Sequence, residues 1–368
     1  MSCTVLVSGM VAATPRQGGA TWAVLQYLLG LRRLGHRAYL VEPIGDLTAE
    51  RVTWCREVMA RHGLAGAWCL VADDGTTAGL TRPELDELAG RADVLLNVAG
   101  MLTDASVLDR VPVRAYLDLD PAFVQLWQAV DGVDMRFDAH THFVTVADAV
   151  GRTIPDCGRS WLTTLPPVVL EAWSPATALE HPGLTTVANW RSYGSIHHDG
   201  VHYGQKVHAL RPLLDLPIGV DAEVAIALGI HPDEADDIAA LTANRWHLLD
   251  PDTVAGTPAD YRRFVQGSWA ELGITKSGYV VSDSGWFSDR SACYLASGRP
   301  VIAQDTGFGR RLPTGDGLFA FTSVDDVAAV VDDLSADYEH HRRAARGIAE
   351  EHLDSDRVLA VLLERLGT

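Results

Sequence analysis

Short apolar runs alternate along the whole chain with longer segments of helical periodicity. The first pair shows the pattern. Thr4-Val5-Leu6-Val7 reads as a buried strand, and a polar loop, Ser8 to Gly19, follows it. Trp22, Leu25, Leu28, Leu29, Leu31 and Leu34 then recur close to a helical period, Gly35 ends the helix, and residues 37–41 read as the next strand. Strand, helix and strand make a βαβ unit, for which the right-handed parallel crossover is the default.

The same grammar continues. Helices are predicted over 51–62 and 80–89, and strands over 67–71, 92–99, 113–117 and 143–146. Residues 161–173 contain Pro166-Pro167, which bars a regular helix, so they read as an extended lead into a linker over 174–183. The pattern then restarts. Strands are expected at 184–188, 246–250, 279–281, 301–303 and 318–321. Helices are expected from 206 to 214, 261 to 269 and 324 to 334, with an amphipathic segment carrying Trp286, Cys293, Tyr294 and Leu295. The tail, 336–366, is a long helical run. The predicted class is α/β, with two Rossmann-like domains facing across a cleft. The boundaries are 1–178 and 179–345, with a terminal helix over 346–368 that packs on its own domain or crosses back to the first.

Composition narrows the partners. The length, 368 residues, suits two domains. A formal net charge of −18 argues against nucleic acid and anionic membranes, leaving small-molecule substrates. No apolar run is long enough to span a bilayer, and no basic segment precedes the first strand, so no signal peptide is read. Cys3, Cys55, Cys69, Cys157 and Cys293 are scattered without a C-x-x-C pair, as in reduced thiols of a cytoplasmic protein.

Candidate chemistry collects at loops after strands, where open α/β sheets bind ligands. Gln17-Gly18-Gly19 opens the first helix, and a glycine pair there permits close backbone approach. Asp118 and Asp120 stand at i and i+2 of a strand end, as a general base, hydroxyl ligands or, for Asp120, a helix cap before Pro121. His142 is an acid/base candidate. His140 with His142, and the group His197, His198 and His202, lack a ligand set, so no metal is expected. In the second half, Asn189, Arg191 and Lys206 follow a strand and suit an anion. Ser284, Gly285, Ser288 and Arg290 form a turn entering a helix, which suits a phosphate. Asp305, Thr306 and Gly307 follow the next strand.

Gly285-Trp286-Phe287-Ser288, then Ala296-Ser297-Gly298-Arg299-Pro300-Val301-Ile302 and Asp305, resembles the donor-binding signature of GT-B glycosyltransferases that use nucleotide sugars. The resemblance implies a hexosyltransferase that moves a sugar from a nucleotide diphosphate sugar to an acceptor hydroxyl without a metal or other cofactor. It implies a phosphate contact at Ser288 and sugar contacts at Asp305. Asp283, Phe287 and Ser291 stand where the signature has His, Asn and Glu, and Gln17 stands where inverting members often carry a catalytic His. A nucleotide-sugar epimerase and a catalytically silent sugar-nucleotide-binding subunit are the alternatives. A tailoring role in secondary metabolism is a further expectation.

Overall fold

The computed structural model describes residues 2–368; Met1, which opens the first predicted domain, lies outside them. The first sheet comprises β1 (Thr4–Ser8), β2 (Arg37–Ile44), β3 (Trp68–Ala72), β4 (Thr77–Gly79), β5 (Val94–Val98), β6 (Val113–Asp118), β7 (His142–Thr145) and β8 (Trp161–Thr163). Their spatial order is β4-β3-β2-β1-β5-β6-β7-β8, and only the β3–β4 pair is antiparallel. The second half opens with β9 (His181–Asn189). A small antiparallel hairpin follows, β10 (Ile196–His198) and β11 (Val201–Tyr203). Then come β12 (Val224–Gly229), β13 (His247–Leu249), β14 (Ser268–Gly273), β15 (Val301–Gln304) and β16 (Leu318–Phe321). The second sheet is parallel throughout, in the order β13-β12-β9-β14-β15-β16.

Both sheets are doubly wound. In the first the chain runs outward through four strands, β1 to β4, and in the second through three, β9, β12 and β13, and each then returns to the other side of its first strand. The order reverses between β1 and β5, and again between β9 and β14, and a crevice opens at the carboxyl ends of the strands there. Helices cover both faces, so strands such as β1 and β3 are buried at every position and read as unbroken apolar runs.

Several contacts hold the halves together. Gly18 N donates to Ala255 O at 3.0 Å, and Trp22 Nε1 donates to Pro258 O at 2.8 Å. A Cβ on Gly18 would lie 2.6 Å from that Ala255 carbonyl, so glycine is required by this close approach. The tail forms two helices, Tyr338–Ile348 and Ser355–Arg365. The second lies on the helix Gly18–Arg33 of the first half, where Arg33 pairs with Asp356 at 3.0 Å. The two stretches that pass between the halves touch each other. Val168 N donates to Leu353 O at 2.8 Å, and Ser355 N donates to Val168 O at 2.9 Å.

Two expectations fail together. Residues 279–281 are not a strand but the end of a short helix, Ser277–Val281, and the predicted helix over 261–269 ends at Gly267. The strand is β14, Ser-Trp-Ala-Glu-Leu-Gly. Its apolar run is broken by Glu271, which is fully buried and tolerated because Arg290 pairs with it. The Tyr-Val-Val run is diverted by tertiary contacts: Gly278 N donates to Gly204 O at 3.0 Å, and the Tyr279 hydroxyl donates to Asp120. The helix expected over 206–214 also stops early, at Leu210, and passes into a tighter turn, Arg211–Leu213.

Candidate active site

A cavity of about 410 Å³ opens at the switch point of the second sheet. The end of β9 supplies Val187, Ala188 and Asn189, and the end of β12 supplies Gly229. The loop after β14 supplies Thr275 and Lys276. Ser288, Asp289 and Arg290 enter from the start of the helix Asp289–Ala296, where the Ser288 hydroxyl caps the helix by accepting from Arg290 N at 3.1 Å. The first half closes the cavity with Arg16, Gln17, Gly18, Gly19 and Ala20.

Positive charge is concentrated here. Lys206 Nζ donates to Ile274 O at 2.8 Å. Burial, and then the neighbouring charges of Arg290 and Lys276, hold its pKa well below the usual lysine range. Burial also lowers Lys276, against the pull of Asp120. Lys276 Nζ lies 3.0 Å from Asp120 Oδ2 and 4.0 Å from the centre of the Tyr193 ring. Asp120 also accepts from the hydroxyls of Tyr193 and Tyr279. One carboxylate of the first half thereby grips three groups of the second. Thr275 Oγ1 is buried without a hydrogen-bond partner at the cavity wall.

The predicted residues divide into three groups. Gln17, Gly18, Gly19, Asn189, Lys206, Ser288 and Arg290 line the cavity. Asp120 stands beside it, tied to Lys276. The others lie elsewhere. Asp118 is fully buried, and its oxygens accept from Asp120 N, Gln125 Nε2 and Thr145 Oγ1 at 2.8–2.9 Å. Burial lifts its pKa to about 6 against those hydrogen bonds. His142 begins β7, in register with Ala115, while Asp118 at the carboxyl end of β6 is opposite Thr145. Three residues of strand, about 10 Å, therefore separate His142 from the cleft edge of the sheet. Arg191 is half-exposed and paired with Glu234, outside the cavity.

The turn at Ser284 and Gly285 is structural. Ser284 Oγ donates to Tyr279 O at 3.0 Å, and Gly285 N donates to Thr306 O at 2.6 Å. Asp305 accepts from Gly307 N at 2.8 Å, and Thr306 Oγ1 donates to Trp286 O at 2.6 Å, so this trio ties one turn to another away from the cavity wall. Arg290 is turned inward. Its guanidinium pairs with Glu271 and donates to Val187 O at 2.8 Å. Asp283 is bound to Arg310 at 2.7 Å and Arg152 at 3.1 Å, in an ion network that includes Asp148 of the first half.

The sequence reading missed Lys276, Thr275, Tyr193 and Tyr279. The signal for the first two was position: they follow β14 directly, at the carboxyl end of a central strand.

Comparison with solved structures decides the fold. An alpha-glucosyltransferase in complex with UDP-glucose and DNA containing an abasic site superimposes with a TM-score of 0.66 at 10% identity, covering 100% of both chains. Anabaena Alr3699/HepE in complex with UDP and glucose superimposes with a TM-score of 0.61 at 14% identity, covering 99% of both chains. The chain has the GT-B fold. No family model matches it, and no curated protein does. The GT-B assignment agrees with the two facing Rossmann-like halves expected from the strand–helix alternation, and with the resemblance carried by the residues around Gly285 and Gly298. It also corrects one exclusion. Net charge argues against nucleic acid, yet GT-B chains of this size are solved with DNA, one with an abasic site and another with a central A:G mismatch. Whole-chain charge does not report the charge of a cleft, so the exclusion falls. Among the described residues, no helix is long and apolar enough to cross a membrane.

Proposed function

We propose that this GT-B chain transfers a hexosyl group from a nucleoside diphosphate sugar, UDP-hexose in the first instance, to an acceptor hydroxyl. The observation that carries this reading is the cluster of Lys206, Lys276 and the Ser288-capped helix start around one switch-point cavity. Lys206 is disfavoured as a cation by burial and by its cationic neighbours. A diphosphate would relieve that cost and receive charge-assisted hydrogen bonds. In the transfer step the same lysines stabilise the charge that develops on the departing diphosphate, without a metal. Thr275 Oγ1 offers the donor an unused hydrogen bond. Asp120 serves as general base: a diphosphate that takes Lys276 releases this carboxylate toward an acceptor bound by the first half. The neighbours' UDP and UDP-glucose complexes support the choice of nucleotide and sugar.

Isothermal titration with UDP, GDP, ADP and TDP tests the donor site. Binding of one of them, weakened in Lys276→Met, is the expected result; no binding by any of the four ends the proposal. Incubation with UDP-glucose alone separates the alternatives. Slow release of UDP and glucose marks a transferase, isomerised sugar marks an epimerase, and binding without turnover marks an accessory subunit.

A further inference from the structure

The loop that joins β1 to the helix Gly18–Arg33 is held at two points, and the residues between them reach the cavity. The first point is Glu42, on β2. Its oxygens accept from three consecutive amides, Val11 N at 3.0 Å, Ala12 N at 2.9 Å and Ala13 N at 2.7 Å. Successive amides turned on one carboxylate make a nest, and the carboxylate in this one is fully buried. The second point is Gly18, whose N–H donates to Ala255 O of the second half at 3.0 Å. Between the two points lie Thr14-Pro15-Arg16-Gln17.

Arg16 is the unusual member of this span. Its φ is +63°, in the left-handed region that a residue with a Cβ enters at a cost. Glycine would take the same conformation without strain, so the turn itself does not call for arginine. The side chain is exposed, and among the described residues it joins no ion pair or hydrogen bond. It lines the cavity that Lys206 and Lys276 also line. Strain kept at a site points to work done by the side chain that bears it. An uncompensated guanidinium beside two lysines, in a chain of net charge −18, suits an anion.

We propose that Arg16 binds the diphosphate of the donor from the first half, and that Glu42 is its positioning residue. The inference rests on the reading of the cavity as a nucleoside diphosphate sugar site. Glu42 acts through the backbone. Its grip on residues 11–13 fixes where the chain leaves β1, and Gly18 fixes where it enters the helix. The short span between must then turn through the left-handed Arg16 and carry its side chain to the cavity. The guanidinium offers paired donors to two phosphate oxygens, where a lysine offers a point charge. The diphosphate would thus be held by both halves, by Lys206 and Lys276 from one and by Arg16 from the other.

The test is titration calorimetry of the full chain with UDP, or with GDP, ADP or TDP where that is the one bound. It is run at about pH 8, above the Glu42 pKa of about 7. Arg16→Gly removes the guanidinium and the left-handed cost together. It should weaken binding at least about tenfold without lowering Tm, and Arg16→Lys should recover part of the loss. Glu42→Gln sets an N–H₂ group against the nest and should weaken binding at least about fivefold. The double variant Glu42→Gln/Arg16→Gly should bind no more weakly than Arg16→Gly alone, because Glu42 acts through Arg16. A merely structural Glu42 would add its own loss. Glu42→Asp, with its carboxylate drawn back from the nest, serves the same cycle where Glu42→Gln does not fold. If the wild type binds and Lys276→Met weakens it, but Arg16→Gly binds within about twofold of wild type or loses affinity only in step with Tm, the inference falls and the donor reading stands. Additive losses in the double variant overturn the role of Glu42. If none of the four nucleotides binds the wild type, both readings fall.

Discussion

In the first half, the crevice beside β1 and β5 is covered by the chain itself; in the second, the crevice beside β9 and β14 is left open and lined with cations. The cover is the stretch after β1. Val11 and Ala12 are fully buried, and the amides of Val11, Ala12 and Ala13 donate to the Glu42 carboxylate at 2.7–3.0 Å. Glu42, on β2, is itself fully buried, and burial pushes its pKa up to about 7 despite those donors. In the second half Asp252 and Asp289 stand at the cavity wall, and no carboxylate gathers the backbone amides of the loop there as Glu42 does, among the described residues. Lys206 and Lys276 face the crevice and Glu271 sits behind Arg290. The same topology thus makes a closed anchor built on one buried carboxyl in one half and an open pocket faced by two buried lysines in the other. Strand order fixes where a site can be; the loop after the first strand decides whether it is one.

The largest effect should come from the floor of the open crevice. Glu271→Ala leaves the Arg290 charge buried and unpaired, and should cost about 3–5 kcal/mol of stability in urea unfolding. Arg290→Ala should likewise act mainly through stability. The closed crevice predicts a pH effect. Glu42 titrates near 4.5 when unfolded and near 7 when folded. Its contribution is complete below about pH 4.5 and is lost as pH rises to about 7, by about 3 kcal/mol at most. Asp118, raised to about 6, adds in the same direction. Glu42→Gln should flatten this part of the urea-midpoint profile; an unchanged slope would remove the carboxylate from the account. Next comes Lys276→Met, which should weaken nucleotide diphosphate binding by about 1.5–3 kcal/mol in titration calorimetry. Unchanged affinity would break the contrast between the two crevices. The smallest effect should be at Arg33→Ala, on the half-exposed pair with Asp356, at below about 1 kcal/mol in the same unfolding assay.

Much of the fold was legible because parallel strands between helices write themselves as apolar runs, as at Thr4–Ser8 and Trp68–Ala72. The glycine pair was legible too, although Gly18 serves the contact with Ala255 as much as the cavity. What was illegible depended on partners far along the chain. Glu271 masked β14 because its neutralising arginine is nineteen residues away. With that strand displaced, Thr275 and Lys276 lost the position that marks them. Asp118 and Asp120 look equivalent in sequence, yet one is enclosed by Gln125 and Thr145 and the other meets Lys276 across the cleft. The turn around Gly285 carries the family signature, but its glycine and serines serve the turn itself, apart from Ser288.

The chain passes between the halves twice, and the two passages are hydrogen-bonded to each other at Val168, Leu353 and Ser355. Two straps joined at one point behave mechanically as a pin. They resist sliding and twisting of one half over the other, and leave rotation about that point as the soft coordinate. Opening of the cleft about this pin would have to break the Lys276–Asp120 and Arg310–Asp148 contacts that span it.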